Sequence, residues 1–171
     1  DEEGTSVSRL RNLINHNKSA KFFGNLLNKN KEFTKNIYRH YINSLSKILI
    51  NLGININTIP VLDVLRNNTN KIIGDRSFSK DKKIVKELGR LTIEYLHRNK
   101  ILGIMKHVPG HGATVTDSHK KMPKVSLNLK KLSKIDFYPF VSSKAKIAMT
   151  AHILYSKLDK KNVATFSKKI I

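Results

Sequence analysis

Residues 106–119 read KHVPGHGATVTDSH, and within these fourteen positions stand three histidines, a lysine, an aspartate, two glycines and a proline. These types together suit one task, which is to hold a small polar substrate and move a proton on and off it. Asp117 and His119 are two positions apart, so an extended backbone turns both side chains the same way. The aspartate can then hold one imidazole nitrogen and fix the tautomer. The other nitrogen is free to exchange a proton near neutral pH. The same D-x-H spacing also fits a surface loop with a capping aspartate and a solvated histidine. Lys106 and His107 fall at the end of an apolar run. Regular alternation would point them to opposite faces, so both reach one ligand only if the strand is irregular there. A lysine in that place is costly without a partner, a polar cavity or a route to solvent.

A metal site is not expected. His107, His111 and His119 lie four and eight positions apart without an HExxH pattern, and Pro109-Gly110 would break a helix carrying the first two. Gly110 and Gly112 flank His111 and permit close approach of a ligand or another loop, or simply a tight turn. Arg76 follows Gly74-Asp75 in a polar loop. Its planar fork can grip hydroxyls or a carboxylate, or pair with Asp75 or Asp63. Asp1 is an acidic group at a possible strand end.

The elements that must place these groups alternate. Residues 1–10 read as a strand end running into a loop. A helix is expected over 31–52, where Phe33, Ile37, Tyr41, Leu45, Ile48, Leu49 and Leu52 recur at helical spacing and Gly53 stands just beyond the end. A short apolar strand follows around 54–64, bearing Asn55, Asn57 and Asp63. A second helix spans about 82–98, with Ile84, Val85, Leu88, Leu91, Tyr95 and Leu96 inward. Then come a buried strand over 101–107, a long glycine-containing loop over 108–122, a short helix near Pro139 and a strand over 147–153. Ser167 is a possible cap for one more helix. Strand, helix, strand, helix, strand implies βαβ units and a parallel sheet, with chemistry at the edge where the polar loops follow the strands.

Bulk composition narrows the class. The chain has 171 residues, enough for a real core, and no cysteine, which excludes disulfides and thiolate metal sites and fits a reducing compartment. No apolar run is long enough to span a membrane, and the first residues lack the pattern of a secretion signal. The formal net charge of +21 is spread as lysine along the chain beside frequent asparagine and isoleucine. That spread fits compositional bias on a solvated surface. No basic stretch carries interleaved aromatics and there is no tryptophan, so neither a nucleic-acid nor a membrane partner is expected.

Five segments in order carry a resemblance. KHVPGHGATVTDSH resembles the KH-(F)-PGHG-(D)-T-x-x-DSH signature of glycoside hydrolase family 3, in its β-N-acetylglucosaminidase (β-N-acetylhexosaminidase) branch. DEEGTSVSRL resembles that branch's D-x-EGG-x-V-x-R segment, INTIPVLDV its N-x-x-PVLDV strand, and IIGDRSFSKD its IGDRSFG-x-D loop. IAMTAHILYSKLD followed by ATFSKKII is similar to its VM-x-AHI…LD…PAT-x-S segment. The resemblance covers nearly the whole chain.

It implies an α/β fold, an incomplete TIM (β/α)8 barrel with parallel strands roughly two to five and their helices, forming one partial domain over 1–171. It implies removal of terminal β-linked N-acetylglucosamine with retention of configuration, in cytoplasmic recycling of cell-wall fragments, without metal or cofactor. The acid/base role carries over to His119 assisted by Asp117, and substrate binding to Asp1, Arg76, Lys106 and His107. The family's nucleophile, an aspartate after the PAT-x-S helix, has no counterpart here, and without it no glycosyl-enzyme intermediate can form. The chain is therefore expected to be an internal piece, inactive by itself. Thr5 replaces the second glycine of EGG, Ala113 an aspartate after PGHG, and Val163 a proline. A degenerate remnant, or a protein that binds sugar without cleaving it, remains the alternative.

Overall fold

The computed structural model describes residues 1–15, 18–115, 122–141 and 143–171. The chain begins with an antiparallel hairpin, β1 (Glu2–Gly4) and β2 (Val7–Ser8), where the sequence suggests only a strand end. Two helices follow, α1 (Ala20–Lys29) and α2 (Lys31–Asn51). Each begins at a polar cap: the N–H of Phe22 donates to Ser19 Oγ at 3.2 Å and that of Phe33 to Asn30 Oδ1 at 3.1 Å. Helix α2 ends at Gly53, whose φ of +74° favours glycine and whose N–H reaches Ile50 O at 2.9 Å.

The buried stripe of α2 is Thr34, Tyr38, Ile42, Leu45, Ser46 and Leu49. Phe33, Ile37 and Leu52 of the expected apolar set are exposed instead. The helix is turned so that Tyr38 meets Phe23 of α1, ring centroids 4.7 Å apart, and hydrogen-bonds Thr92 at 2.7 Å. Thr92 lies on α3 (Lys82–Arg98), capped by Asp81 and buried through Val85, Leu88, Leu91, Tyr95 and Leu96, as its periodicity implies.

The central sheet has three parallel strands in the order β3 (Ile56–Asn57), β4 (Leu102–Val108), β6 (Ile147–Thr150). Beyond β3 the chain stays beside β4, through a bridge between Val61 and Lys106. Helix α3 lies close on β4: a Cβ at Gly103 would stand 2.6 Å from Ile93 Cδ1. One core fills the space between helices and sheet, around Phe23, Tyr38, Leu62, Leu88 and Leu96.

A second cluster, around Val125, Leu132, Ile153, Tyr155 and Ala164, binds the later segments: β5 (Lys124–Val125), α4 (Leu129–Lys134), α5 (Tyr138–Val141) and β7 (Leu154–Tyr155). Strands β5 and β7 pair in parallel. Ser167 caps no helix. Its hydroxyl donates to Asp159 Oδ2 at 2.8 Å, after a 3-10 turn at Ala164–Phe166. Parallel strands with helices on one side form part of a (β/α)8 arrangement, and among the described residues no barrel closes. No helix among them is long and apolar enough to cross a membrane.

Candidate active site

The first hairpin is fixed to the sheet by asparagine. Asn57 at the end of β3 accepts the Glu2 N–H at 3.0 Å and donates its amide to Glu2 O at 3.0 Å. Glu2 in turn accepts the N–H groups of Arg9 and Leu10 at 2.7 and 2.9 Å, which closes the hairpin. On this mount Asp1 and Glu3 hang over the carboxyl end of the sheet.

Lys106 rises from β4 to meet them. Its side chain is only 2% exposed, and Nζ donates to Asp1 Oδ1 at 2.7 Å, to Glu3 at 2.5 Å and to Thr58 Oγ1 at 3.1 Å. A charged ammonium in that position is tolerable because its donors are taken up by oxygens, two of them anionic. Burial still lowers its pKa against the pull of Glu3, and the nearby Arg76 adds to the lowering.

Arg76 closes the group. Its guanidinium grips Glu3 in a fork, Nε to Oε2 at 2.7 Å and an Nη to Oε1 at 2.9 Å. Burial alone would raise the Glu3 carboxyl, but Arg76 and Lys106 together hold it below the ordinary range. The pairing of Arg76 with Asp75 or Asp63 left open by the sequence is not the one found. Asp75 accepts the hydroxyls of Thr5 and Ser6 instead, at 3.0 and 3.4 Å. Thr5, in the place of a family glycine, thus keeps a positive φ of 37° and gains a hydrogen bond.

His107 is next along β4. The register of β4 against β6 shifts between Lys106 and Val108, and this irregularity lets both Lys106 and His107 line one cleft. Asp63, completely buried, sits behind the ring with Oδ2 at 2.7 Å from His107 Nδ1. The cleft has a volume of about 290 Å³ and is walled by Asp1, Arg76, Lys106, His107, His111 and His152 among others. That is the low end for small-molecule sites, about 300 Å³. The loop after β4 is pressed on the chain beyond β3: a Cβ at Gly112 would fall 1.9 Å from Val64 O, so glycine is required there. His111 is buried, with Nδ1 2.7 Å from Thr114 Oγ1, and burial lowers its pKa.

Of the six site residues expected from sequence, the structure gathers four, Asp1, Arg76, Lys106 and His107, around one cleft. Asp117 and His119 lie outside the described residues. Sequence reasoning missed Glu3, Thr58 and Asp63. Glu3 carried a usable signal, being two positions from Asp1 in a glycine-ended turn. Thr58 carried none. No cluster of three metal-binding side chains occurs among the described residues.

Comparison with known proteins gives the cleft its context. The family model of the glycosyl hydrolase family 3 N-terminal domain matches residues 1–171. Beta-hexosaminidase A of Pseudoalteromonas piscicida is 36% identical over 169 residues, which cover 95% of this chain and 28% of that protein. The Beta-hexosaminidase of Nitrosomonas eutropha is 30% identical over 172 residues, covering 99% and 49%. Among solved structures, NagZ from Neisseria gonorrhoeae in complex with N-trifluoroacetyl-D-glucosamine matches with a TM-score of 0.89 at 26% identity, over 100% of this chain and 50% of that one. A family 3 β-N-acetylglucosaminidase from Paenibacillus matches with 0.88 at 29% identity, over 100% and 32%. The chain spans about half the length of these relatives, or less.

Proposed function

Since this chain belongs to glycosyl hydrolase family 3, we propose that it forms the sugar-holding part of a β-N-acetylglucosaminidase barrel. Its cleft would receive a terminal β-linked N-acetylglucosamine. The observation that carries this reading is the group of Asp1, Arg76, Lys106 and His107 around a cleft of about 290 Å³. Charged donors and acceptors alternate there over a few ångströms, which suits a ring bearing several hydroxyls and an amide.

In this reading Asp1 accepts sugar hydroxyls and Arg76 donates to hydroxyls or to the N-acetyl oxygen, and Lys106 joins them by exchanging its 3.1 Å bond to Thr58 for one to the ligand. The cations are preorganised by Glu3, so little order is lost when the ligand arrives. His119, steered by Asp117, protonates the glycosidic oxygen as the bond to C1 breaks. A carboxylate outside these residues attacks C1. His119, now a base, then takes a proton from the water that releases the sugar with retained configuration. The substrate fits saccharides from cell-wall turnover, and the site of action would be the cytoplasm.

The test uses the complete reading frame that contains this chain. Proton NMR of the first product from an N-acetylglucosaminyl disaccharide should show the β-anomer, before mutarotation. His119→Ala should slow the reaction about 100-fold or more. An α-anomer as first product, or an undiminished rate in the variant, would refute the mechanism. A second reading is sugar binding without cleavage, which the same cluster of donors and acceptors around the cleft would also serve. Saturable N-acetylglucosamine binding by a complete protein without hydrolysis would favour it.

A further inference from the structure

Asp63 has no part in the function as argued so far, yet it is the most enclosed acid beside the cleft, with a side chain 0% exposed. Both of its oxygens are committed. Oδ2 meets His107 Nδ1 at 2.7 Å. Oδ1 accepts the His111 N–H at 2.6 Å and the His107 N–H at 3.3 Å. Burial would raise this carboxyl, but the two histidines and the backbone donors hold its pKa below the usual range, so it stays an anion. A carboxylate only accepts. When the His107 ring carries a single proton, that proton therefore lies on Nδ1. Nε2, which makes no hydrogen bond to the described residues, is left as a bare lone pair on the cleft side.

We infer that Asp63 is a positioning residue that sets the tautomer of His107, so that Nε2 accepts a hydroxyl of the ligand, while its other oxygen ties the loop after β4 to the sheet. The cleft then holds a graded set. Lys106 and Arg76 donate, and Asp1 and His107 Nε2 accept. A ligand with a hydroxyl facing His107 is held, and one with an acceptor there is rejected, because two lone pairs would meet. The identity of the ligand rests on the function proposed above; the tautomer does not.

Nitrogen-15 NMR of histidine-labelled protein tests this on the complete reading frame, with the pH raised until the spectrum shows a ring with one proton. The His107 signals, identified by their loss in His107→Gln, should show a protonated Nδ1 and a bare Nε2. Asp63→Asn keeps an oxygen for the His111 N–H but offers an amide N–H to the ring. The proton should move to Nε2, and kcat/KM on a terminal β-N-acetylglucosaminide should fall about 10- to 100-fold. A wild-type ring protonated on Nε2 overturns the inference, and that measurement needs no variant to fold. So does an inverted tautomer in Asp63→Asn with kcat/KM unchanged. A wild type with the expected tautomer that cleaves no sugar refutes the enzymatic reading and supports the tautomer assignment.

Discussion

Replacing Glu3 with glutamine leaves Arg76 and Lys106 in the same confined space without the anion that both touch. The amide still accepts a hydrogen bond, but it cannot offset two positive charges. Breaking a buried ion pair from one side is costly, and Glu3→Gln in the protein from the complete reading frame should lose on the order of 3 kcal/mol in urea unfolding. Loss of less than about 0.5 kcal/mol would mean that solvent already screens the pair. The same residue shapes the response to acid. Glu3 and Asp63 both have folded pKa values below their ordinary ones. Their stabilisation is therefore complete above the ordinary carboxylate range and is lost as pH falls through and below that range. Asp136, raised by burial despite its forked pair with Arg66, acts in the opposite sense. Asp159, held down by backbone and hydroxyl donors, adds to Glu3 and Asp63, so with three described carboxyls lowered against one raised, melting temperature should drop as pH falls below about 4. In Glu3→Gln that dependence should flatten; a wild type as stable in acid as at neutrality contradicts the assignment.

At the scale of elements, the hairpin and its asparagine mount govern where Asp1 and Glu3 stand. Asn57→Ala removes two buried hydrogen bonds across the join between β1 and β3. It should cost about 1–3 kcal/mol by thermal or urea melting and weaken ligand binding, since the acids ride on the hairpin. Unchanged binding would show that the hairpin is held elsewhere. Such joins explain what the sequence made legible. Helices α2 and α3 are long, periodic and capped, so local signals sufficed. Strand β4 is a continuous apolar run with its polar groups at one end. Helix α1 has an apolar stripe through Phe23 and Leu27, but it is short and carries Gly24 within it. Helix α4 is six residues with three lysines, and only its packing through Leu132 defines it. The pairing of β5 with β7 depends on contacts thirty residues apart, which no local period encodes. In the site, the four residues carried by the family motifs were legible. Glu3 stood two positions from Asp1, a spacing that could have been read, but the partners of Glu3 and Asp63 lie 73 and 44 positions along the chain, and no local pattern names them.

For the whole molecule, the sheet is the exposed feature. Ile56, Leu102, Ile147 and Met149 on adjacent strands are between 36% and 44% exposed. Apolar side chains beside open strand edges invite pairing with other chains. The isolated 171 residues should self-associate with rising concentration in light scattering and melt without a sharp transition. A monomer with a single cooperative transition would show that this surface is adequately solvated. The central claim is that the cleft around Lys106 holds a terminal β-linked N-acetylglucosamine for hydrolysis. Its most direct test is the rate at which the complete reading frame releases a chromogenic leaving group from a β-N-acetylglucosaminide, wild type beside Lys106→Ala. The account predicts release by the wild type and a loss of about 100-fold or more in kcat/KM for the variant; no release by the wild type, or an equal rate in both, would contradict it.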